Sequence, residues 1–395
     1  MSEQKIILYG AFDRYNYGDI LIPIILSKYL QDNGFVNIEY CSIKNADLST
    51  FGGFKCTAIN PQKIPENSSI IVAGGEVLNV DWTSITSYFM GWLGNRCIRV
   101  ARLIFPRTWV NTLCIKIMNG RFKYPFLVEK ETLKKSIKTI YNGVGGVSIK
   151  ESDNTIKSIM ENADFVSVRD KNANETLNTN WGMNNKLTPD IANAVSKFYP
   201  IDRLLTSISH DTKSFIEDNQ NGYFCIQIAQ QYTRGKTSTI VESLSKILSM
   251  GVPIVLLPLG TVSGHEDDNA LKKIHDMLAS KNVFLLRNIH LEDSICLIAN
   301  ATVFAGTSLH GNITAMSYAV PHFPLNQHVE KLTHYVKTWD ISDIKPCPDY
   351  SQIHEFYEQS TKIDENLLIE NRDRLISHID ENMDEIYKTI SSANE

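Results

Sequence analysis

A chain of 395 residues is longer than one hydrophobic core usually organises, so two domains are expected. A formal net charge of -5, from 39 Lys and Arg against 44 Asp and Glu, excludes a generally basic surface and with it broad nucleic-acid binding through counterion release. Seven scattered cysteines without a Cys-x-x-Cys pair suit a reducing cytoplasm, and no apolar stretch is long enough to span a bilayer.

The first strand is expected over residues 5–12, which leaves no room before it for a secretory leader. It runs into GAFDRYNYGD (10–19), where Asn16 and Gly18 favour unusual backbone angles and Asp19 is set to cap a helix over 19–31 that ends near Gly34. A second apolar strand, 69–74, opens into VAGGEVL, whose Gly74 and Gly75 let backbone amides approach a ligand closely and are followed by Glu76.

Residues 82–128 break the pattern. They contain no Asp or Glu, while Arg96, Arg99, Arg102, Arg107, Lys116, Arg121 and Lys123 accumulate among apolar and aromatic side chains. Such a segment fits a membrane interface, with rings at headgroup level and cations against anionic lipid. It equally fits a helical insertion of the core whose Arg stems cover apolar surface.

Strands resume at 140–147, ending in GVGGVS (143–148), and at 165–169, where FVSVRDKNANETL delivers Arg169 and Asp170 at the strand end. Arg169 there would offer a bidentate donor to carboxylate or phosphate, or else pair with Asp170 or across domains. TPDIANAV (188–195) aims Asp190 toward the same place. The polar, strandless stretch 196–221 marks the boundary, dividing the chain into a first domain, 1–200, and a second, 201–395.

The second domain repeats the alternation, with strands at 223–229, 253–258, 283–286 and 302–305 and helices over 238–250 and 269–279. Uninterrupted apolar strands between helices are the pattern of parallel sheets covered on both faces. In PLGTVSGHEDDNAL (258–271), His265, Glu266, Asp267 and Asp268 follow a strand and are placed to donate an acid or base, or merely to cap the next helix. In GTSLHGNITAMSYAVP (306–321) a strand ends near Gly306 and His310 stands in the first turn or cap of a helix over 312–318, flanked by Thr307, Ser308 and Gly311. Free amides and the positive end of the helix dipole favour an anion there, and an imidazole can bind phosphate or pass a proton. Lys331, in VEKL, is a second cation. The charged, helically spaced segment 363–390 is expected to pack back across the first domain. No Walker loop, His-Glu-x-x-His or compact Cys/His cluster is present, so a metal is not indicated.

In order and spacing, NYGD, the Gly-Gly strand ends, SVRD, PDIA, GTSLHGNITAMSYAVP and VEKL resemble the polysaccharide pyruvyl transferase family over roughly residues 6–331. Many members carry Arg in an Arg-Leu-His motif where this chain has Ser308. The resemblance implies an α/β fold of two Rossmann-like domains facing a central cleft, similar to GT-B glycosyltransferases, with the first domain on the acceptor side and the second on the donor side. It further implies phosphoenolpyruvate as co-substrate, no cofactor, and a sugar acceptor that is converted to a pyruvate ketal in surface polysaccharide synthesis. On that basis His310, Asp19 and Arg169 are the catalytic candidates. Arg169, Ser308, His310, Gly311, Lys331 and His265 are the donor-binding set, and Asn16, Gly18, Asp19, Gly74, Gly75 and Glu76 the acceptor-binding set. A polyprenyl-diphosphate-linked acceptor would set the enzyme at the inner face of the cytoplasmic membrane, with 82–128 as its anchor on anionic lipid. A nucleotide-sugar glycosyltransferase and a non-catalytic subunit that binds glycan or lipid carrier stand as alternative readings.

Overall fold

The computed structural model describes residues 4–150, 152–260 and 266–392. Residues that read as continuous apolar runs form two sheets. The first is ordered β3-β4-β2-β1-β5-β7-β8-β9, with β6 paired to β7. Its strands are β1 Ile6–Tyr9, β2 Ile38–Ser42, β3 Ala46–Asp47, β4 Lys55–Ala58, β5 Ser69–Val72, β6 Gly75–Glu76, β7 Lys138–Gly145, β8 Phe165–Val168 and β9 Lys186–Leu187. Every pairing in it is parallel except β3 with β4. The second sheet is wholly parallel, in the order β12-β11-β10-β13-β14, from β10 Phe224–Gln227, β11 Ile254–Leu256, β12 Val283–Leu285, β13 Val303–Gly306 and β14 His322–Pro324. These are two Rossmann-like units, as expected.

The central strands β1, β5, β7 and β10 are buried along their whole length, which is why they carry no polar alternation. The strands without a clear signal in the sequence are the partly exposed β2 and β4, the two-residue β3, β6 and β9, and the three-residue β14. The segment 196–221 is mostly helical, in short helices Val195–Phe198, Ile201–Ser207 and His210–Asp218.

The two units share one apolar interior. Ile20, Leu21 and Ile25 of α1 (Tyr17–Asp32) belong to the same buried cluster as Leu309, Ile313 and Met316 of the Leu309–Ser317 helix. Tyr17 fastens this junction twice: its amide donates to the Leu259 carbonyl at 3.0 Å and its hydroxyl meets Thr314 Oγ1 at 2.7 Å. A large apolar interface of this kind restrains relative domain motion.

The terminal helix Glu365–Ser391 returns to the first unit, burying Leu375, Ile379, Met383, Ile386 and Ile390 at helical spacing. Asn382 donates to Asn142 Oδ1 in β7 at 2.8 Å. At its end, buried Lys138 donates to the carbonyls of Thr389 at 2.7 Å and Ile390 at 3.2 Å, and also reaches the Ser392 carbonyl. A cation on the orphan carbonyls of a helix C-terminus is doubly favourable, through hydrogen bonds and through the dipole. Lys138→Met is therefore expected to lower unfolding free energy by about 1–3 kcal/mol in urea titrations, while Lys138→Arg loses less.

Candidate functional site

The carboxyl ends of both sheets face each other across a cleft of about 230 Å³. One wall comes from the first unit, through Asn16, Asp19, Gly74, Gly75, Glu76 and Arg169. The other comes from the second, through Gln227, Asp267, Ser308, His310 and Lys331. Crevices beyond strand ends are where open parallel sheets gather ligands. A larger groove of about 550 Å³, walled by Lys5, Glu39, Lys63, Trp82 and Arg121, holds none of the catalytic, donor-binding or acceptor-binding candidates selected from sequence.

In the first unit, the loop after β1 delivers Asp19. The helix begins at Tyr17 rather than at residue 19, because Asn16 caps it by accepting from the Gly18 amide at 3.3 Å. Asp19 is thereby released from capping and stands in the first turn against the cleft. Burial pushes its carboxyl above the usual range, opposed in order by His310, Arg14, Lys331 and Arg169, so four cationic or potentially cationic groups act on one carboxylate.

Gly18 has an ordinary helical backbone, contrary to the expectation of an unusual one. Its role is steric: a Cβ at this position would lie 1.9 Å from Nδ1 of His310. The glycine makes room for an imidazole arriving from the other domain.

Gly74 and Gly75 do adopt positive φ, at 116° and 86°, turning the chain out of β5 so that β6 carries Glu76 into the cleft. Glu76 accepts from the Val147 amide at 3.0 Å and faces Arg169 Nη2 at 3.4 Å. Gly145 is bare for this reason, since a Cβ there would come within 2.4 Å of Glu76 Oε2.

Arg169, 3% exposed, is saturated by acids: Nη1 meets Asp190 Oδ2 at 2.5 Å and Nη2 meets Glu76. The free bidentate edge expected of it is thus already occupied, which corrects its reading as an open anion clamp. Burial works against its charge, but Asp190 and then Glu76 hold it firmly protonated. The Trp339 indole N–H donates to the Arg169 carbonyl at 2.7 Å, and the Tyr335 hydroxyl accepts from the Asp190 amide at 2.8 Å. The Glu330–Trp339 helix of the second unit therefore braces this pair.

His310 lies in the first turn of a helix that starts at Leu309, three residues earlier than expected, with Ser308 as N-cap accepting from the Gly311 amide at 3.2 Å. Its Nε2 is buried, has no hydrogen-bond partner, and sits 3.5 Å from Asp190 Oδ2. Burial alone would raise the Asp190 carboxyl; His310 and then Arg169 instead hold it well below the usual range. Lys331 lies in the first turn of the same helix that braces Asp190 and lines the cleft while remaining open to solvent.

Two arrangements escaped the sequence reading, although Asp267 of the second was named there as a possible acid, base or cap. Arg14 bonds Asp13 through Nε at 2.7 Å and lies 4.4 Å and 4.7 Å from the ring centroids of Tyr88 and Phe89, while its Nη2 is buried without a partner at the cleft. The charge stands in GAFDRYNYGD, but the aromatic clamp that orients it comes from a distant helix. The second is a buried relay under Ser308: its amide donates to Gln227 Oε1 at 2.8 Å, and Gln227 Nε2 donates to Asp267 Oδ2 at 2.7 Å. Asp267 also accepts from the Leu259 and Gly260 amides, and burial pushes its carboxyl up to about 6. His265 lies outside the described residues. Among the described residues, no three His, Cys, Asp or Glu side chains are grouped to hold a metal ion.

A family model described as polysaccharide pyruvyl transferase matches residues 16–328, a span that contains all the cleft-lining residues except Ala11, Arg14, Val329 and Lys331. The chain belongs to the polysaccharide pyruvyl transferase family. No curated protein matches it in sequence. Its fold is shared with solved structures of other proteins. A UDP-N-acetylglucosamine 2-epimerase from Rickettsia bellii superposes with a TM-score of 0.55 at 10% identity over 98% of this chain and 97% of that one. A UDP-GlcNAc 2-epimerase from Methanocaldococcus jannaschii does so at 0.51 and 12%, over 95% and 98%. A glycosyltransferase from Rickettsia africae does so at 0.50 and 12%, over 99% of each chain. At such identities the likeness is one of fold, the GT-B-like pair of facing Rossmann-like domains. Within the pyruvyl transferase frame, Asn16, Gly18, Asp19, Gly74, Gly75, Glu76, Arg169, Ser308, His310, Gly311 and Lys331 all lie on or directly behind the one cleft.

Two outcomes test this geometry. Gly18→Ala should destabilise the protein by about 1–3 kcal/mol despite the better helix propensity of Ala, whereas in a His310→Ala background the same change should be neutral or stabilising. Chemical denaturation of the four proteins measures that coupling. For Asp267, the folded-state pKa lies above the ordinary 3.8, so its contribution to stability is greatest at low pH and is lost as pH rises through about 6. The difference in stability between wild type and Asp267→Asn should therefore change between about pH 4 and 6 by up to ~1.4 kcal/mol per unit, wild type falling relative to the variant.

Proposed function

We propose that the enzyme transfers the pyruvyl group of phosphoenolpyruvate to two hydroxyls of a sugar, without a cofactor, releasing phosphate and leaving a pyruvate ketal. Family membership supports the reaction class. The observation that carries the donor is the concentration of Arg14, Lys331 and the N-terminus of the His310 helix around a cavity of about 230 Å³. Guanidinium, ammonium and a helix N-terminus gathered at one cavity suit a compact phosphorylated carboxylate.

The chemistry sets the roles. A proton adds to C3 of the enol, turning it into a methyl group, and C2 becomes electrophilic. One sugar hydroxyl bonds to C2, the C2–O bond to phosphate breaks, and the second hydroxyl closes the ring. The two hydroxyl protons balance the sum, one in the new methyl group and one carried off with phosphate.

His310 has the placement of the proton donor: a buried Nε2 on the cleft wall that makes no hydrogen bond and lies 3.5 Å from the Asp190 carboxylate. Arg169 keeps Asp190 ionised and in place, and so acts through it as a positioning residue. Asp19, with its raised carboxyl, suits proton exchange with the acceptor hydroxyls on the first-domain side. Arg14 and Lys331 suit the donor's phosphate and carboxylate, and Arg14 supplies a guanidinium in a chain whose His motif carries Ser308. Val80, Ile85 and Phe126 give the cavity an apolar flank, which favours an acceptor carried on a lipid.

The test is phosphate release from phosphoenolpyruvate coupled to a mass gain on lipid-linked and free sugars, with nucleotide-sugars as controls. His310→Gln should lower kcat by about 10²–10⁴. Arg14→Ala should raise KM for phosphoenolpyruvate about 10–100-fold with a smaller effect on kcat. Consumption of a nucleotide-sugar with phosphoenolpyruvate untouched would replace this reading by glycosyl transfer, and acceptor binding without turnover of any donor would replace it by a carrier-binding role.

A further inference from the structure

Residues 82–128 fold as three helices, α2 Trp82–Phe89, α3 Gly91–Ile104 and α4 Arg107–Met118. Helix α4 has two apolar stripes. Val110, Cys114 and Met118, at intervals of four, pack into the first domain. Trp109, Leu113 and Ile117, at the same intervals, face outward with 69%, 56% and 53% of their surface exposed. On α3, Val100, Leu103 and Ile104 are likewise 54%, 87% and 66% exposed, and Phe105 between the helices is 52% exposed. A helix anchored by one apolar stripe has no folding reason to carry a second, and contiguous exposed apolar surface marks an interaction site.

The surrounding charge indicates the partner. Arg99, Arg107 and Lys116 are exposed on the same two helices, and the whole segment contains no Asp or Glu although the chain has a net charge of -5. A protein partner would need an acidic rim about an apolar centre. A second copy of this chain would set two acid-free cationic faces against each other, which like-charge repulsion disfavours. An anionic bilayer meets both requirements, accepting Trp, Phe and Leu at the headgroup–acyl boundary and guanidinium groups at its surface. Among the described residues no helix is long and apolar enough to cross a membrane, so the contact is one of lying on the surface.

We infer that the outer face of α3 and α4 docks on a bilayer rich in anionic lipid. Helix α2 links this face to the cleft: Ile85 lines the cavity, and Tyr88 and Phe89 clamp Arg14. Docking there would hold the helix that carries Ile85 of the cleft close to the lipid surface from which a lipid-linked acceptor is drawn. The inference deepens the proposed function, but binding to vesicles requires neither donor nor acceptor, so failure of one is distinguishable from failure of the other.

The experiment is co-sedimentation of the full chain with phosphatidylcholine vesicles, with and without phosphatidylglycerol, at low and high salt. Wild type should partition at least about tenfold more strongly onto the phosphatidylglycerol vesicles, with the excess lost at high salt. Leu103→Ser with Trp109→Ser, and separately Arg99→Gln with Arg107→Gln, should each lower that partition about tenfold or more. All these side chains are exposed, and unchanged circular dichroism and melting would confirm that the variants fold. Absence of binding to phosphatidylglycerol vesicles, equal binding by folded variants, or a wild-type dimer in light scattering that Trp109→Ser dissociates would each overturn the inference, the last in favour of a second copy as occupant.

Discussion

A guanidinium removed from water is stable only when its charge is answered within hydrogen-bonding distance. Arg169 is that group here, and much of the cleft follows from answering it. Asp190 and Glu76 are drawn onto its two ends, Gly145 is left bare so that they fit, and Trp339 and Tyr335 of the opposite domain tie down its carbonyl and its partner's amide. Asp190, fixed in this way, presents one oxygen toward His310 across the domain boundary. An internal ion pair thus sets the electrostatic environment of a catalytic candidate contributed by a separate sheet. Removing either partner would leave an uncompensated buried charge, a change that is usually far more damaging than loss of the pair as a whole.

How much of this could be read in advance depended on whether the determinant was local. Strands buried on both faces announce themselves as unbroken apolar runs, so β1, β5, β7 and the strands β10–β13 were legible, while β4 was not, because exposure dilutes the pattern, and neither was β14, whose three buried residues are too few to show one. GTSLHG disclosed a helix N-terminus with an imidazole in its first turn because capping chemistry is written within four residues. The use of Gly18 was misread, since its reason is an imidazole nearly three hundred positions away in sequence and not the backbone at Gly18 itself. Arg14 was passed over for the same kind of cause. An Arg next to an Asp looks like a surface pair until two rings from α2 close over it. Arg169 was found but its freedom was overestimated, because its acids lie 93 and 21 residues away.

The acid-free segment shows where pattern reading reaches its limit. Composition alone left a buried insertion and a surface anchor equally open. The structure shows that one helix of the segment has both a buried and an exposed apolar stripe, with Val110, Cys114 and Met118 turned in and Trp109, Leu113 and Ile117 turned out. The turn of the helix about its axis, which depends on the packing of its neighbours, is what separates the two stripes.

The terminal helix has a bearing on how the molecule comes into being. Its apolar face fills the flank of a sheet whose first strand is made at the opposite end of the polypeptide, and its last carbonyls hold a lysine buried in the middle of that sheet. During synthesis the early half therefore emerges with an uncovered greasy side that nothing yet translated can seal. Sealing of the amino-terminal domain is accordingly a long-range event, one that waits until residues 365–391 exist to lie against it.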